Sequence, residues 1–246
     1  MTLPVHLVPS LAGVSPGATV TVEGDEAHHA VAVRRLRVGE TVVLTDGAGR
    51  SVTGAVASTG KRVFTVDVAQ AQEVPRPGPS FVVVQALPKG DRGELAVEVL
   101  TEVGVDQVVP WAAARSVAVW KGERAAKSLA RWRSTAREAA KQARRAWHPE
   151  VAELASMADV ARLVAGADLA VVLHEEATAP LAGLDVPASG VVVVVVGPEG
   201  GLTDDEVTAL VDAGAVSVRL GTEVLRTSTA GVAACAALLA RTDRWH

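Results

Sequence analysis

Apolar residues are spaced in two different ways along this chain, and the change of spacing divides it. Residues 1–70 carry short β-branched segments, Val20–Glu23, Thr41–Thr45, Ser51–Ala57 and Arg62–Val68, separated by the turn formers Asp46-Gly47 and Thr59-Gly60. This is the pattern of a small β-rich domain. One helical patch, Asp25 to Arg37, interrupts the strands, with Asp25 placed as its N-cap. Pro75, Pro77 and Pro79 then fall within five residues, which neither a helix nor a central strand tolerates. The boundary is set there, giving domains 1–74 and 75–246.

Beyond the prolines the pattern becomes strand–helix alternation. Phe81–Ala86, Gln107–Trp111, Leu169–Leu173, Val191–Val196 and Val216–Leu220 read as strands with helical segments between most of them. That alternation predicts an α/β fold with a parallel sheet flanked by helices. The unbroken run Val191 to Val196 suits a strand covered on both faces. It delivers Gly197-Pro198-Glu199-Gly200-Gly201-Leu202, and Val216–Leu220 delivers Gly221 through Thr227. Both glycine turns fall at the carboxyl edge of the sheet, where open α/β folds bind ligands. Thr203 to Glu206 fits a capping box opening a helix that Gly214 ends. Gly200-Gly201 thus leads to a helix N-terminus whose amides can receive a polar group.

Between Lys121 and Arg145 stand nine Lys or Arg and only two acids, Glu123 and Glu138. At helical spacing Ala125, Leu129, Trp132, Ala136, Ala139, Ala140 and Ala143 share one arc of about 100°. Arg124, Lys127, Arg131, Arg133, Arg137, Lys141, Arg144 and Arg145 fill the rest. A solvated surface helix is the plain explanation. Yet the acids that would balance such a face at i,i+4 are mostly missing, and phosphate is the natural counter-charge. Arg34, Arg35, Arg37 and Arg50 could extend that footprint.

Composition narrows the chemistry. The 246 residues are 49% hydrophobic but only 3% aromatic, so the core rests on Val, Leu and Ala. The net charge of −4 argues on average against a nucleic-acid partner, and the basic segment stands out against it. No apolar run reaches the roughly 18 residues of a membrane span. Residues 1–12 lack the features of a secretory signal. The single Cys235, inside an alanine- and leucine-rich run, fits a buried helix position and a reducing, cytoplasmic setting. The P-loop pattern is absent, and Gly47-Ala48-Gly49 lacks the third glycine of a dinucleotide fingerprint and sits in a hairpin turn. His28 and His29 are adjacent, and no residues stand at zinc-ligand spacing, so no metal site is expected.

With these pieces placed, the chain resembles the ribosomal RNA small subunit methyltransferase E family of the SPOUT superfamily. The blocks that carry the resemblance are His28 to Glu40, Lys89-Gly90-Asp91-Arg92 with Thr101 to Val105, Arg131-Trp132 with Glu138 to Arg145 and Pro149, Leu173-His174-Glu175, Gly197 to Gly201, and Leu220-Gly221 through Leu225-Arg226-Thr227. They run in order over nearly the whole chain. The resemblance implies a PUA-like RNA-binding β-barrel followed by a SPOUT-type parallel sheet with a C-terminal trefoil knot. It implies methylation of uridine N3 in 16S ribosomal RNA near the decoding centre, with S-adenosylmethionine as donor, by a homodimer acting on the small ribosomal subunit.

On that resemblance Leu173, His174, Glu175, Gly197, Gly200, Gly201, Leu220, Gly221, Val224 and Leu225 would enclose the donor. Leu173, Leu220, Val224 and Leu225 would sandwich its adenine. Arg226 would stabilise charge on the uracil oxygens or, alternatively, anchor a phosphate. Glu199 would contact donor or substrate, or else brace a helix N-terminus. RNA would meet Arg34, Arg35, Arg124, Lys127, Arg131, Arg137, Lys141, Arg144 and Arg145. Three positions depart from the family pattern: Ser228 stands for Glu, Val99 for Lys, and Arg34 for Leu. Ser228 is read as the cap of a final helix, Ala230 to Arg241. An idle RNA-binding protein on the same scaffold is the alternative that Ser228 and Val99 raise. A nucleotide enzyme using Lys89 and Arg92 at the first βα turn is a third possibility, motivated by the alternation alone.

Overall fold

A computed structural model describes residues 3–245. Its contacts divide the chain into two compact units. The first takes the residues up to Arg76 and also Lys141–His148; the second takes Pro77–Ala140 and the chain from Pro149 onward. The division is therefore not linear.

In the first unit, β1 (Val5–Leu7), β2 (Thr19–Glu23), β3 (Thr41–Thr45), β4 (Arg50–Thr59) and β5 (Val63–Glu73) form a five-stranded sheet in the order β1-β3-β4-β5-β2. Only β1 and β3 pair in parallel. Alternate residues such as Val42, Leu44, Val52, Val56, Phe64 and Val66 point into one core. The helical patch is shorter and differently capped than its sequence suggests. Helix α1 (Gly24–His28) runs into a π-helical turn, His29–Val33, and its N-cap is Glu23. Asp25 lies inside the first turn, where its carboxylate pairs with Arg62. The returning segment 141–148 is tied to the β3–β4 turn: His148 N donates to the Gly47 carbonyl at 2.8 Å, and Gly49 N to the Ala146 carbonyl at 2.9 Å.

The second unit contains a six-stranded, all-parallel sheet in the order β11-β9-β10-β6-β7-β8. Its strands are β6 (Ser80–Ala86), β7 (Gln107–Trp111), β8 (Glu150–Val151), β9 (Leu169–Leu173), β10 (Val191–Val196) and β11 (Val216–Val218). The valine run is central, paired with Ser80–Gln85 on one side and Leu169–Val172 on the other, and Val192 to Val196 are buried on both faces. One face is covered by α2 (Arg92–Val103), α3 (Glu123–Gln142) and α6 (Thr227–Leu239), the other by α4 (Met157–Ala165) and α5 (Asp204–Asp212). The capping box at Thr203 and Glu206 forms as expected, and Gly214 follows α5 at φ +109°.

Ser228 does not cap the last helix. Helix α6 begins at Thr227, three residues before Ala230, with Arg226 as N-cap, and Ser228 is buried in its first turn. At the other end of the sheet Arg244 fastens the chain terminus, its Nη1 donating to Asp106 Oδ2 at 2.6 Å and its Nη2 to the Gly104 carbonyl at 2.7 Å. Among the described residues no helix is long and apolar enough to cross a membrane.

Candidate functional site

The carboxyl ends of β9, β10 and β11 surround a cavity of about 600 Å³. The strand order makes this a crossing point of the topology: the chain builds outward from β6 to β8, then returns to place β9, β10 and β11 on the other side. Crevices form where successive connections leave a parallel sheet in opposite directions. Three loops supply the walls. From β9 come Leu173, His174 and Glu175; from β10 come Gly197, Glu199, Gly200 and Gly201; from β11 come Leu220, Val224, Leu225 and Arg226. Sequence candidates far apart in the chain are thus brought together. Gly221 is not among the lining residues, although its neighbours Leu220 and Glu223 are. Val224 lines the rim but is 77% exposed, so it does not close over the cavity as one half of a sandwich.

The loops are held by polar contacts. His174 N donates to the Val218 carbonyl at 3.0 Å, and Arg219 N to the Ala179 carbonyl at 2.9 Å, which ties the β9 and β11 loops together. Gly201 stands at φ +71°, where an L side chain is strained, and its amide donates to the Pro198 carbonyl at 3.0 Å. Glu199 Oε1 accepts from Lys89 N at 3.1 Å and from Arg92 Nη1 at 3.2 Å, so it braces the loop that enters α2. This contact occupies the Arg92 guanidinium, one of the two basic side chains that a phosphate site at the first βα turn would use, while Lys89 takes part through its main-chain amide alone.

Sequence reasoning missed two residues that assemble the site. Arg115 Nη1 donates to the Gly200 carbonyl at 3.3 Å and to the Leu202 carbonyl at 3.1 Å, and its side chain also lines the cavity. Its signal was a lone arginine just beyond β7, at the same sheet edge. The Thr227 hydroxyl donates to the Gly197 carbonyl at 2.7 Å and accepts from Gln85 Nε2 at 3.0 Å. The signal there was Gln85 itself, a polar residue inside an apolar strand, which must find a partner when buried. At the rim Glu223 is held below the usual carboxylate range by a hydrogen bond from the Thr222 side chain.

The α5 N-terminus is not the open anion site that its sequence suggests. Thr203 accepts from Glu206 N, Glu206 accepts from Thr203 N, and Glu206 Oε1 also accepts from Ala114 N at 2.7 Å. Asp204, Asp205 and Glu206 all lie in its first turn.

The basic helix forms as α3 with Leu129, Trp132, Ala136, Ala139 and Ala140 buried. It ends at Gln142, so Ala143 is exposed beyond it, and Arg144 lies outside at φ +54°. Arg145 also follows the helix. Its charge is more compensated than local spacing indicates. Arg131 pairs with Glu94 at 3.2 Å, Arg133 with Glu153 at 2.9 Å, Arg137 with Glu138 at 3.3 Å, and Lys141 with Glu26 at 3.0 Å. Three of these acids come from other elements, which an i,i+4 count along the helix cannot see. Arg124 and Lys127 are exposed, as are Arg34 and Arg35 in the first unit.

Comparison with known proteins divides the chain into two linear stretches, with 141–148 in the second. Residues 76–239 match the RNA methyltransferase domain family, and residues 22–68 the RNA methyltransferase PUA domain family. The chain is 47% identical over 233 residues to the ribosomal RNA small subunit methyltransferase E of Mycobacterium tuberculosis, covering 93% of this chain and 89% of that protein. It is 30% identical over 238 residues to the enzyme of the same name from Bacillus subtilis, covering 94% and 93%. The crystal structure of a ribosomal RNA small subunit methyltransferase E from Neisseria gonorrhoeae bound to S-adenosylmethionine superposes with a TM-score of 0.86 at 27% identity, over 98% of each chain.

Proposed function

The chain belongs to the ribosomal RNA small subunit methyltransferase E family, and from that premise we propose that it methylates N3 of a uridine in 16S ribosomal RNA near the decoding centre, with S-adenosylmethionine as donor. The observation that carries the proposal is the cavity at the ends of β9, β10 and β11, walled by glycine-rich main chain and a few apolar side chains. Its volume of about 600 Å³ suits a nucleoside-sized ligand.

The residues present fit that donor. Leu173, Leu220 and Leu225 supply apolar surface for a purine, and Gly197, Gly200 and Gly201 let main-chain amides and carbonyls approach it. We place Gly221 on the outer turn of that wall, and His174 and Glu175 at its mouth. S-adenosylmethionine, when bound, supplies an electrophilic methyl group. Uracil N3 is a weakly acidic imide, and its proton must leave as the N3–carbon bond forms. To Arg226, an exposed N-cap residue on the cavity wall, we assign the stabilisation of charge spreading onto the uracil oxygens. A guanidinium does not give up its own proton at neutral pH, so Arg226 acts by charge. Glu199 acts through position, because its carboxylate is engaged with Lys89 and Arg92.

The same premise extends to the scaffold. We assign residues 1–74 to RNA binding and 75–246 to transfer, and a trefoil knot to the cofactor region. In support of the knot, the chain leaves β11 at the sheet edge, bonds along Ala179 and Leu181, and re-enters beside Gln85 and Gly197 at the sheet centre. An experimental trace in which residues 219–226 pass outside the 174–190 crossing would remove it. A homodimer is proposed from the family, and exposed Val224 and Leu225 at the cavity rim suit a subunit interface. Sedimentation at micromolar concentration tests it; a monomer there counts against it.

The decisive experiment follows transfer of labelled methyl groups to undermodified 30S particles, with mass spectrometry of the nucleosides. N3-methyluridine is expected. Another methylated nucleoside corrects the specificity, and donor binding without transfer favours the idle RNA-binding alternative. Binding to the particles is expected to weaken with salt at a log–log slope of roughly −0.7 to −0.9 per phosphate contacted.

A further inference from the structure

A second hollow, of about 430 Å³, lies in the same unit between the β6–α2 loop, the segment before α3, and the exposed side of α3. Arg124, Lys127 and Arg131 line it at helical spacings of three and four, so they stand in one row on α3. Arg131 is neutralised by Glu94 at 3.2 Å. Among the described residues neither Arg124 nor Lys127 forms an ion pair, and both are exposed.

The rest of the lining is mainly aromatic and apolar, with Glu94 as its acid. Trp120 lines the hollow and meets Trp132 edge to face, with ring centroids 5.0 Å apart. Trp132 in turn sits on the backbone of α2, where a Cβ at Gly93 would lie 2.7 Å from its ring. That close approach fixes Trp132, and Trp132 fixes Trp120. Val119, beside it, is 61% exposed. Two cations in the same hollow as a supported indole and an open apolar residue make a place for a phosphate with a base attached, since backbone charge and base stacking are what single-stranded RNA offers.

The hollow adjoins the cavity described above. Arg92 lines the cavity and its chain neighbour Gly93 lines the hollow, so adjacent residues in the first turn of α2 border both.

We propose that this hollow is a subsite for one unstacked nucleotide of the substrate RNA flanking the target uridine, its phosphate between Arg124 and Lys127 and its base against Trp120. The subsite rests on the methyltransferase function above and adds to it a defined position for a neighbouring nucleotide. Holding that neighbour out of its stack would help keep the target base extruded, a step whose expense falls on the enzyme.

The test uses the full-length protein, undermodified 30S particles and labelled methyl transfer. Arg124→Ala/Lys127→Ala is expected to raise the half-saturating particle concentration at least ~10-fold and to reduce the salt slope by roughly 0.7 to 0.9, the share of one phosphate. Trp120→Ala is expected to weaken particle binding roughly 10-fold through lost stacking, while Trp120→Phe stays within about 3-fold because a ring face remains. Donor affinity by calorimetry and the thermal midpoint should match wild type in the double variant. Arg162→Ala, on α4 across the sheet, is the control for general loss of charge and should leave particle binding unchanged. If wild type transfers methyl groups and the double variant keeps its affinity and salt slope, the subsite is wrong and the function stands. Equal loss in Trp120→Phe and Trp120→Ala also overturns it, because packing rather than stacking is then what Trp120 provides. If wild type binds the donor but transfers nothing to the particles, function and subsite fall together.

Discussion

Thr227→Val asks whether one hydroxyl assembles the cavity. In the native protein that hydroxyl joins the start of α6 to the Gly197 carbonyl and to Gln85, at 2.7 and 3.0 Å, with Thr227 5% and Gln85 1% exposed. Valine keeps the branched shape and removes both bonds. Gln85 Nε2 retains the Ala86 carbonyl at 3.1 Å, so the larger penalty falls on Gly197. One hydrogen bond lost at about 1 kcal/mol, and one half-buried acceptor left without its partner at about 1–3 kcal/mol, give roughly 2–4 kcal/mol. For a unit of this size that corresponds to a fall of roughly 5–15 °C in the unfolding midpoint. Because Gly197 opens the β10 loop, donor affinity measured by calorimetry should fall at least ~10-fold, about 1.4 kcal/mol. Thr227→Ser, which keeps the oxygen, should restore most of both. A Thr227→Val protein that melts within about 2 °C of wild type and binds the donor equally would show that the loop is held by something else.

Other perturbations address the rest of the molecule. Arg244→Ala takes the guanidinium from a carboxylate that is 2% exposed, and one-sided loss of such a buried pair costs about 3–5 kcal/mol; a shift of under ~1 kcal/mol in urea unfolding would contradict the anchoring role. For Glu26, burial works against the charge, but hydrogen bonds and positive charge from His6 and Lys141 prevail and lower its pKa from 4.5 to about 2. Its contribution to stability is therefore complete above about 4.5 and is lost as pH falls through about 2. Glu26→Gln should flatten the acid limb of the urea midpoint in that window, and an unchanged limb refutes the assignment. Cys235 is fully buried, and burial pushes its thiol up to about 12, so iodoacetamide should leave it unmodified in native protein at pH 8; prompt alkylation would contradict its packing.

Much of the fold was legible because burial on both faces leaves an unmistakable run. Leu169–Leu173 and Val191–Val196 are strands over the residues that their composition indicates. The segment Val216–Leu220 was less clear, since only Val216–Val218 pair in the sheet while Arg219 turns away to bond Ala179 and Leu181. Strands β1 and β8, of three and two residues, were not visible, because such short pieces are defined by their partners. The glycine loops were legible from their own chemistry. What organises them was not: Arg115, Thr227 and the Glu199 contact with Lys89 and Arg92 join residues from 30 to 142 positions apart, and no local periodicity encodes that. The same limit explains α3. Glu94, Glu153 and Glu26 offset its charge from elsewhere in the chain, and among the described residues Arg124 and Lys127 are left without carboxylate partners.

Charge also separates this cavity from the nucleotide sites that occupy the same edge of other parallel sheets. A pyrophosphate is received by free amides at a helix N-terminus and by glycine turns that carry no negative charge. Here the first turn of α5 holds Asp204, Asp205 and Glu206, and its cap amides are engaged by Thr203 and Glu206. Glu175, Glu176, Glu199, Asp204 and Glu223 line the cavity alongside Arg92, Arg115, Arg219 and Arg226. Such a mixed wall disfavours a polyanion and accommodates a ligand carrying a cationic sulfonium beside an amino-acid end. Competition calorimetry should therefore show that NAD or ATP in 100-fold excess leaves donor binding unchanged, whereas S-adenosylhomocysteine, with the same nucleoside and amino-acid parts, displaces it. Displacement by ATP at comparable concentration would mean that the acids do not face the ligand.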